Sequence, residues 1–266
     1  MTPPTITVVT PSYQQGRYLD AAMRSVLDQG YPRLEYVVVD GGSTDESVAV
    51  IRRHADRLAW WTSGPDGGQA DAINQGFQRT TGEVMGWLNS DDLLLPGALD
   101  RIARAFRDPR VQAVCGWREL IDQDGRPVSS MAFPQPTPAV LRTRPILPQE
   151  TVYWRRSLWE RLGPLDASLR FSMDTDYWLR MLERGVVPRL IRAFLGVFRW
   201  QPEQKSALLL DVAREENSRL FGRANGVERV DPDALRKQLP WGWRTRLKLY
   251  RKATKLGLLG RTRVPG

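Results

Sequence analysis

Two adjacent acids, Asp91 and Asp92, end the apolar run Val84–Leu88. Neighbouring carboxylates repel each other unless a positive charge lies beside them. Ions such as Mg²⁺ take oxygen ligands and often combine one or two carboxylates with substrate phosphates. With Asn89 and Ser90 before it, the pair therefore indicates a site for a metal ion and a diphosphate. A polar turn that only starts the next helix is the alternative, and the tetrapeptide alone does not decide between them.

A further acid, Asp40, follows the apolar run Tyr36–Val39. A carboxylate at such a strand end can accept a hydrogen bond from a nucleobase N–H and so select the base. The alternative is that Asp40 caps the following turn. We expect Ser43 and Glu46 to form a capping box for the next helix, which would leave Asp40 free for a ligand.

A glycine-rich loop and the helix after it carry three more candidates, Asp66, Asp71 and Asn74. Asp71 and Asn74 are three residues apart and so share one face of a helix. Glycines at a helix N-terminus allow a phosphate or sugar to approach the backbone. An ordinary loop followed by a solvated helix is the alternative for each of these residues.

Two late acids, Asp174 and Asp176, start a predicted helix. Either could act as a general base, provided that the fold brings it to the acidic turn. Acids at a helix start also complement the helix dipole without any catalytic role. The sequence leaves open which of the two acids acts and whether either does.

The elements that must position these residues alternate between strand and helix over roughly the first 100 residues. This alternation predicts a parallel sheet of right-handed βαβ units, with strand ends collected along one edge. The first strands are expected at Ile6–Thr10, Tyr36–Val39, Ala59–Thr62 and Val84–Leu88, and the first helices at Arg17–Gln29, Ser43 to about His54, Gln69–Gln78 and Pro96–Phe106. Later we expect a strand at Val111–Trp117, a hairpin at Glu119–Arg126 and a proline-rich loop over 132–150. Two helices should follow, at Arg155–Leu162 and Asp174–Arg184, and then one or two strands within Val186–Phe198.

The composition excludes several kinds of site. Of the 266 residues, 41% are hydrophobic, which is enough for a core. Cys115 is the only cysteine and His54 the only histidine, so disulfides, cysteine-based metal sites and histidine clusters are excluded. No dinucleotide glycine fingerprint and no Walker-type loop is present, which disfavours oxidoreductases and ATPases. With no leader-like segment or apolar run of about 20 residues, we expect a cytoplasmic protein.

The positive charge is concentrated near the C-terminus. The net charge is +9, and ten Lys or Arg residues but no acid lie between Ala234 and Gly266. Within Trp241–Lys255, basic residues and aromatics at helical spacing favour docking on an anionic membrane surface. The alternative is a helix that packs on the body and keeps a solvated basic face. Nucleic acid is not expected as a partner, because the body is not basic and carries no such motif.

Taken in order, these segments resemble glycosyltransferase family 2, whose members have the GT-A fold. The likeness covers about residues 5–206 and rests on Val9–Tyr13, Val37–Asp45, Gly64–Gly76, Thr81–Glu83, Leu88–Asp92, Arg161–Asp166 and Met173–Arg180. It is strongest to the branch that makes bacterial surface polysaccharides and O-antigen-type glycans. The resemblance implies an α/β, Rossmann-like, mostly parallel sheet flanked by helices over residues 1–206, and a helical basic extension over 207–266.

The resemblance also implies roles for single residues. Asp91 would be the main ligand of Mn²⁺ or Mg²⁺, with Asp92 nearby, and Asp174 would deprotonate the acceptor hydroxyl. Together with the reasoning above, it assigns donor binding to Thr10, Pro11, Tyr13, Asp40, Asp66, Asp71, Asn74, Asn89, Ser90, Asp91, Arg199 and Lys205.

Four positions depart from the family pattern. Asn89 stands where many members have the first Asp of Asp-x-Asp, Gly41 replaces a frequent Asp, and Met173 replaces a Glu before the proposed base. Gln201 stands where relatives often carry His. The segment around it is expected to close over the diphosphate through Arg199, Gln201 and Lys205.

We therefore expect a metal-assisted, inverting glycosyltransferase at the inner face of the cell membrane. Its donor would be a nucleotide-sugar, preferably a UDP-sugar, and its acceptor a hydroxyl of a glycan or lipid-linked molecule. The metal would stabilise the leaving diphosphate, and Asp174 would take the proton. Two alternatives stay open: a sugar-phosphate nucleotidyltransferase, and a non-catalytic module that binds a sugar nucleotide at the membrane.

Overall fold

The computed structural model of the chain describes residues 2–202, 204–256 and 258–259. Within them the strands are β1 (Ile6–Ser12), β2 (Leu34–Asp40), β3 (Trp60–Ser63), β4 (Val84–Trp87), β5 (Leu93–Leu94), β6 (Ala113–Ile121), β7 (Pro127–Met131), β8 (Tyr153–Arg155) and β9 (Arg189–Arg199). The helices are α1 (Gly16–Leu27), α2 (Ser47–Arg53), α3 (Gln69–Gln78), α4 (Ala98–Ala105), α5 (Pro138–Leu141), α6 (Arg156–Leu162), α7 (Met173–Glu183), α8 (Lys205–Leu208), α9 (Leu210–Ala224), α10 (Pro232–Lys237) and α11 (Trp241–Lys255). The end of the predicted extension, 260–266, lies outside the described residues.

The strands form one sheet, and its first four strands lie parallel in the order β3-β2-β1-β4, which confirms the predicted alternation. The register places Ser12 opposite Asp40, and Asp40 opposite Ser63. The ends of β1, β2 and β3 are therefore level. Apolar strands buried on both faces are typical of a parallel sheet covered by helices, and ligands bind beyond the carboxyl ends of such strands.

The rest of the sheet is mixed. β8 lies antiparallel between β4 and β6, and β9 runs parallel to β6. The two-residue strand β5 directly follows the acidic turn and pairs with β9, with Leu93 opposite Val197. This pairing ties the acidic turn to the end of β9. The sequence did not predict β5, because two residues carry no periodic pattern and the partner strand is far along the chain.

Local predictions had different outcomes. The helix predicted over Gln69–Gln78 is confirmed. The predicted capping box is wrong, because α2 begins at Ser47. The Asp45 carboxylate accepts a hydrogen bond from the Ser47 backbone N–H at 2.9 Å. The Ser43 hydroxyl instead donates to Asp40 at 2.6 Å.

Part of the predicted extension packs on the sheet domain. Phe221 of α9, Leu235 of α10 and Trp243 of α11 belong to the same apolar cluster as Trp87 of β4. The predicted boundary at 206/207 stays a prediction. Among the described residues, no helix combines the length and the apolarity that a membrane crossing requires.

One face of α11 packs on the body, which is the alternative to the membrane docking that the sequence favoured. Trp243 and Thr254 are buried, and Leu247 and Tyr250 are partly buried. The Tyr250 ring meets Trp117 of β6 edge-on, with 5.7 Å between the ring centroids. The apolar face of α11 is therefore used for packing on the body and not for contact with a membrane.

A buried acid of α9 anchors the loop that leads into α7. The Glu216 carboxylate accepts hydrogen bonds from the backbone N–H groups of Arg170, Phe171 and Ser172 at 2.8, 3.1 and 2.7 Å. Hydrogen bonds to an ionised acceptor are about twice as strong as neutral ones. Helix α9 therefore fixes the position at which α7 starts.

We expect Glu216→Ala to lower the free energy of unfolding by on the order of 3 kcal/mol, because three backbone N–H groups, of which that of Ser172 is buried, lose their acceptor. Glu215→Ala is the matched control, since Glu215 forms only an exposed ion pair with Arg229. Such pairs contribute about 0–1 kcal/mol. Urea unfolding of both variants measures the difference, and equal losses would contradict the anchoring role of Glu216.

Candidate active site

The acidic turn after β4 holds its two acids in different surroundings. Asp92 is fully buried, and it accepts hydrogen bonds from the Arg199 backbone N–H at 3.0 Å and from Asn89 Nδ2 at 3.3 Å. Asp91 is partly exposed and accepts from Gln201 Nε2 at 3.1 Å. The Asp91 carbonyl accepts from Arg199 Nε at 3.0 Å. Asp91 is therefore the acid of the pair that can meet a ligand, while Asp92 joins the turn to β9.

Burial sets the protonation of both acids. It raises the pKa of Asp91, and the Gln201 hydrogen bond and the charge of Arg199 oppose the rise. Burial, Asp91 and Glu150 together raise the pKa of Asp92 well above its usual range. A bound cation would oppose this rise, because a positive charge favours the ionised carboxylate. The sequence could not show which of these groups are buried.

A buried ion pair, Arg118–Glu150, lies beside this cluster and was missed by the sequence analysis. Glu150 has no exposed surface, and its carboxylate accepts from both Nε, at 2.8 Å, and Nη2 of Arg118. The positive charge of Arg118 lowers the pKa of both Asp92 and Asp174. Arg118 lies in β6 and Glu150 in the turn before β8, and no local pattern in the sequence relates two charges so far apart.

The two candidate bases are distinguished by their partners. Asp176 is buried and pairs with Arg180 at 2.8 Å and with Arg223 at 3.0 Å. Asp174 is partly exposed, and its carboxylate accepts a hydrogen bond from the Thr175 backbone N–H at 2.6 Å. Burial raises the pKa of Asp174, and the Thr175 hydrogen bonds and Arg118 lower it. Asp174 is therefore the acid with capacity to accept a proton from a ligand.

An aromatic stack connects the two acidic segments. Trp87 is the last residue of β4, two residues before Asn89, and Trp178 lies one helical turn after Asp174. Their rings stack with centroids 5.7 Å apart and planes 16° from parallel. Such a contact contributes about 0.5–1.5 kcal/mol beyond the area it buries. The stack fixes α7 relative to the strand that delivers Asp91.

Asp40 is engaged by the protein itself. It is fully buried, and its two oxygens accept hydrogen bonds from the Gly42 and Ser43 backbone N–H groups and from the Ser43 and Ser63 hydroxyls. Three of these bonds go to Oδ2 and one goes to Oδ1, so the protein itself engages both oxygens. The premise that Ser43 leaves Asp40 free is therefore wrong. Asp40 shapes the turn that follows β2.

The other predicted nucleoside contacts differ in exposure. Thr10 and Pro11 are buried, and the Thr10 hydroxyl hydrogen-bonds the Tyr36 hydroxyl at 2.9 Å. Tyr13 has 62% of its surface exposed. A Cβ on Gly41 would lie 3.3 Å from the Tyr13 ring and 3.2 Å from an Asp66 carboxylate oxygen. Tyr13 and Asp66 therefore face each other across Gly41, at a place where a side chain in the Gly41 position would be crowded.

The glycine loop and α3 bring Gln69, which the sequence analysis did not single out, to the acidic turn and use the predicted Asp71 and Asn74 internally. Gln69, at the start of α3, donates to the Asn89 side chain at 2.7 Å. Asp71 accepts from the Gly67 backbone N–H at 2.9 Å and from Gln75. Asn74 is buried and exchanges two 2.9 Å hydrogen bonds with the backbone of Leu165. The Asn74 amide thus fastens the loop before α7.

The remaining predicted residues come from the acidic turn, the end of β9 and the start of α8. Ser90 is buried within the acidic turn. Lys205 Nζ donates to the Arg170 carbonyl at 3.4 Å, and its charge lowers the pKa of Asp66, although burial raises that pKa overall. The guanidinium of Arg199 lies over the Tyr18 ring, 4.8 Å from its centroid. These contacts link the glycine loop, the acidic turn and α7 into one contiguous surface.

A metal ion fits this surface only together with a ligand. Among the described residues, no three His, Cys, Asp or Glu side chains are grouped to hold a metal. Mg²⁺-type ions are often bound by one or two carboxylates, with water and substrate phosphates completing the coordination. Asp91 can supply that carboxylate, whereas both oxygens of Asp92 already accept hydrogen bonds from the protein.

Comparison with known families shows to which protein family the chain belongs. The family model described as glycosyl transferase family 2 matches residues 7–161, more than half of the chain. The chain belongs to this family. An uncharacterized glycosyltransferase of Mycobacterium tuberculosis is 31% identical over 186 residues, which are 66% of this chain and 68% of that protein. One from Rickettsia typhi is 28% identical over 192 residues, and the match spans only 59% of the relative's length.

Solved structures establish the GT-A fold of this family 2 chain. The structure of S. aureus TarS 1–349 in complex with UDP-GlcNAc matches this chain with a TM-score of 0.66 and 16% sequence identity. The match covers 97% of this chain and 76% of the TarS chain. The mannosyltransferase PcManGT from Pyrobaculum calidifontis, in complex with GDP-Man and Mn²⁺, matches with a TM-score of 0.57 and 22% sequence identity. This match covers 98% of the present chain and 88% of the PcManGT chain. The predicted α/β fold class is confirmed.

We expect Asp91→Asn to raise the thermal unfolding midpoint at pH 8 in the presence of EDTA, because the amide avoids a buried charge. Folding raises the pKa of Asp91, so the folded state holds the proton more tightly than the unfolded state. Stability is therefore lost as the pH rises through that raised pKa. The advantage of the variant should shrink below about pH 4, where the carboxyl is protonated in both states.

The matched control is Asp56→Asn, which neutralises an exposed acid. Differential scanning fluorimetry across about pH 3.5–8 measures both variants. This range begins near the usual pKa of a carboxyl group and extends well above it. A midpoint difference for Asp91→Asn that does not depend on pH would contradict the burial of this charge.

Proposed function

We propose that the chain is an inverting glycosyltransferase that moves a sugar from a nucleoside-diphosphate donor, preferably a UDP-sugar, to a hydroxyl of a glycan or lipid-linked acceptor. The observation that carries the proposal is that two acids, Asp91 and Asp174, each keep a partly exposed carboxylate beside a positively charged side chain. Asp91 keeps a partly exposed carboxylate beside Arg199 and Gln201, and Asp174 keeps one beside Arg118. The complexes of the solved relatives with UDP-GlcNAc and GDP-Man support this donor class.

On the donor side, the residues act by position and charge. Tyr13 is exposed next to Gly41 and Asp66 and offers a ring face to the nucleobase. Asp40 contributes by holding the turn that contains Gly41. Asp91 would hold a divalent cation, Mn²⁺ or Mg²⁺, against the diphosphate, and the cation would stabilise the charge that develops on the leaving group. The Mn²⁺ bound in the complex of PcManGT supports this choice of metal.

On the acceptor side, Asp174 serves as the general base. Burial raises its pKa towards the working pH, and a base is most effective when its pKa lies there. The acceptor oxygen forms a bond to the anomeric carbon while the bond to the phosphate oxygen breaks. The bonding electrons leave with the nucleoside diphosphate, and the hydroxyl proton passes to Asp174. One displacement from the opposite face inverts the anomeric centre.

The exposed side of α11 supports a place at an anionic membrane surface. Arg244, Lys248, Arg251, Lys252 and Lys255 are exposed. Trp241, Leu249 and Leu256 are exposed as well, with Trp241 at 81%. Basic residues interspersed with apolar side chains suit the boundary between lipid headgroups and acyl chains. Such docking fits an enzyme of bacterial surface polysaccharide synthesis whose acceptor is linked to a lipid.

Asp174→Asn is expected to lower the rate of transfer by roughly 10²–10⁴-fold without changing donor affinity, because only proton acceptance is lost. Asp91→Ala should instead abolish metal-dependent turnover and weaken donor binding. Asp166→Asn is the control, since Asp166 is exposed and bonded only to Ser168. Assays with UDP-, GDP- and dTDP-sugars and Mn²⁺ measure product and released nucleotide.

The released species separates the alternatives. Release of nucleoside diphosphate supports the transferase, and release of diphosphate indicates a sugar-phosphate nucleotidyltransferase. Binding without turnover under any acceptor indicates a non-catalytic module. Undiminished transfer by Asp174→Asn would remove Asp174 from the role of base.

For the membrane surface, we expect the triple variant K248E/K252E/K255E to bind vesicles with phosphatidylglycerol on the order of 100-fold more weakly, since each basic residue contributes about 1 kcal/mol. R52E/R104E/R214E is the control with the same change of charge on exposed residues elsewhere. Co-sedimentation at constant ionic strength measures both. Equal losses for the two variants would mean that net charge, not the face of α11, determines binding.

A further inference from the structure

A groove of about 720 Å³ lies apart from the candidate active site, between α4, β9 and the end of α11. Its floor is formed by Trp117, Phe194 and Tyr250, and Leu249 and Leu258 lie along its rim. Both leucines are exposed, at 62% and 71%. Ligand sites of this size hold molecules that bury most of their surface against apolar side chains.

The groove exists because one strand edge is only partly covered. On the side of β9 away from β6, the strand β5 pairs with Gly196 and Val197, and the Leu95 backbone N–H donates to the Leu195 carbonyl at 2.8 Å. The preceding residues, Arg192, Ala193 and Phe194, line the groove instead. Exposed sheet edges are usually covered by a helix or protected by charge. Here α4 and α11 flank the edge and leave an elongated opening between them.

Two arginines add positive charge to the lining of this apolar groove. Arg101 of α4 and Arg192 of β9 both line it, and both are exposed. Neither guanidinium forms an ion pair or hydrogen bond with another residue in the described part of the chain. A guanidinium binds phosphate through several parallel N–H···O bonds. Both side chains therefore offer N–H donors to a phosphate group that enters the groove.

We propose that this groove binds one anionic phospholipid. Its phosphate lies between Arg101 and Arg192, and an acyl chain runs over Phe194 and Tyr250 towards Leu249. The charge around the opening favours a lipid over an acidic protein segment, because the neighbouring exposed face of α11 carries basic residues together with apolar ones. That combination matches the boundary of an anionic bilayer.

The site would give the docking helix a defined lipid instead of a diffuse surface charge. It deepens the membrane part of the proposed function and does not depend on transferase activity. A monomeric lipid therefore tests it without vesicles, donor or acceptor. If the chain binds the monomeric lipid but not vesicles, the lipid site in the groove is supported and the docking of α11 on a membrane surface is contradicted.

The experiment is native mass spectrometry of the full chain titrated with dihexanoyl-phosphatidylglycerol below its micelle concentration. We expect one bound lipid, with affinity at least about tenfold weaker in R101E/R192E, because both phosphate partners are reversed. The control R104E/R214E has the same change of charge on exposed arginines outside the groove and should bind like the unaltered chain. Glycerol 3-phosphate and dihexanoyl-phosphatidylcholine test the headgroup and the chains separately.

Each other outcome overturns the proposal. Equal binding of glycerol 3-phosphate would mean a phosphate site without a lipid chain, and equal binding of phosphatidylcholine would mean a chain site without charge recognition. A dimer that disappears in R101E/R192E would make a second copy of the chain the occupant. Equal losses in the two double variants, or no bound lipid at all, would remove the site.

Discussion

The concentration of buried negative charge at one edge of the sheet is the constraint on which the site depends. Asp92 and Glu150 are buried carboxylates, and Asp91 and Asp174 lie beside them partly exposed. Loss of one partner from a buried ion pair typically destabilises a protein by about 3–5 kcal/mol. Arg118 and Arg199 compensate part of this charge, and both come from strands that meet the acidic turn. The remaining excess of negative charge suits a divalent cation that arrives with a diphosphate.

The rest of the fold keeps these charges in register. The short pairing of β5 with β9 brings the Arg199 backbone to Asp92, and the stacked rings of Trp87 and Trp178 fix α7 beside β4. Glu216 adds a third restraint by holding the loop before α7. Restraints from three separate parts of the chain therefore act on the acidic turn and on the start of α7. Such support is what a site needs if its groups are to keep a productive geometry.

The sequence predicted the parallel half of the sheet and the position of the acidic turn, because apolar strands of four to six residues broken by polar turns leave a strong pattern. It could not predict which acids the protein itself would engage. Asp40, Asn74 and Asp176 have the residue types of a binding site, yet their oxygens and amides are used by backbone or arginine partners. Those partners are distant in sequence, and only the tertiary structure brings them together. Likewise, no local pattern identified Arg118 or Glu150.

The central claim is that the metal–diphosphate position and Asp174 share one cleft. Methyl NMR of the protein with ¹³C-labelled methionine tests it, because Met173 directly precedes Asp174 and Met23 lies in the apolar cluster on the other face of the sheet. Addition of Mn²⁺ with UDP should broaden the Met173 methyl signal by paramagnetic relaxation much more than the Met23 signal, and Mg²⁺ with UDP should broaden neither. Binding of Mn²⁺ and UDP that leaves the Met173 signal sharp would contradict the account.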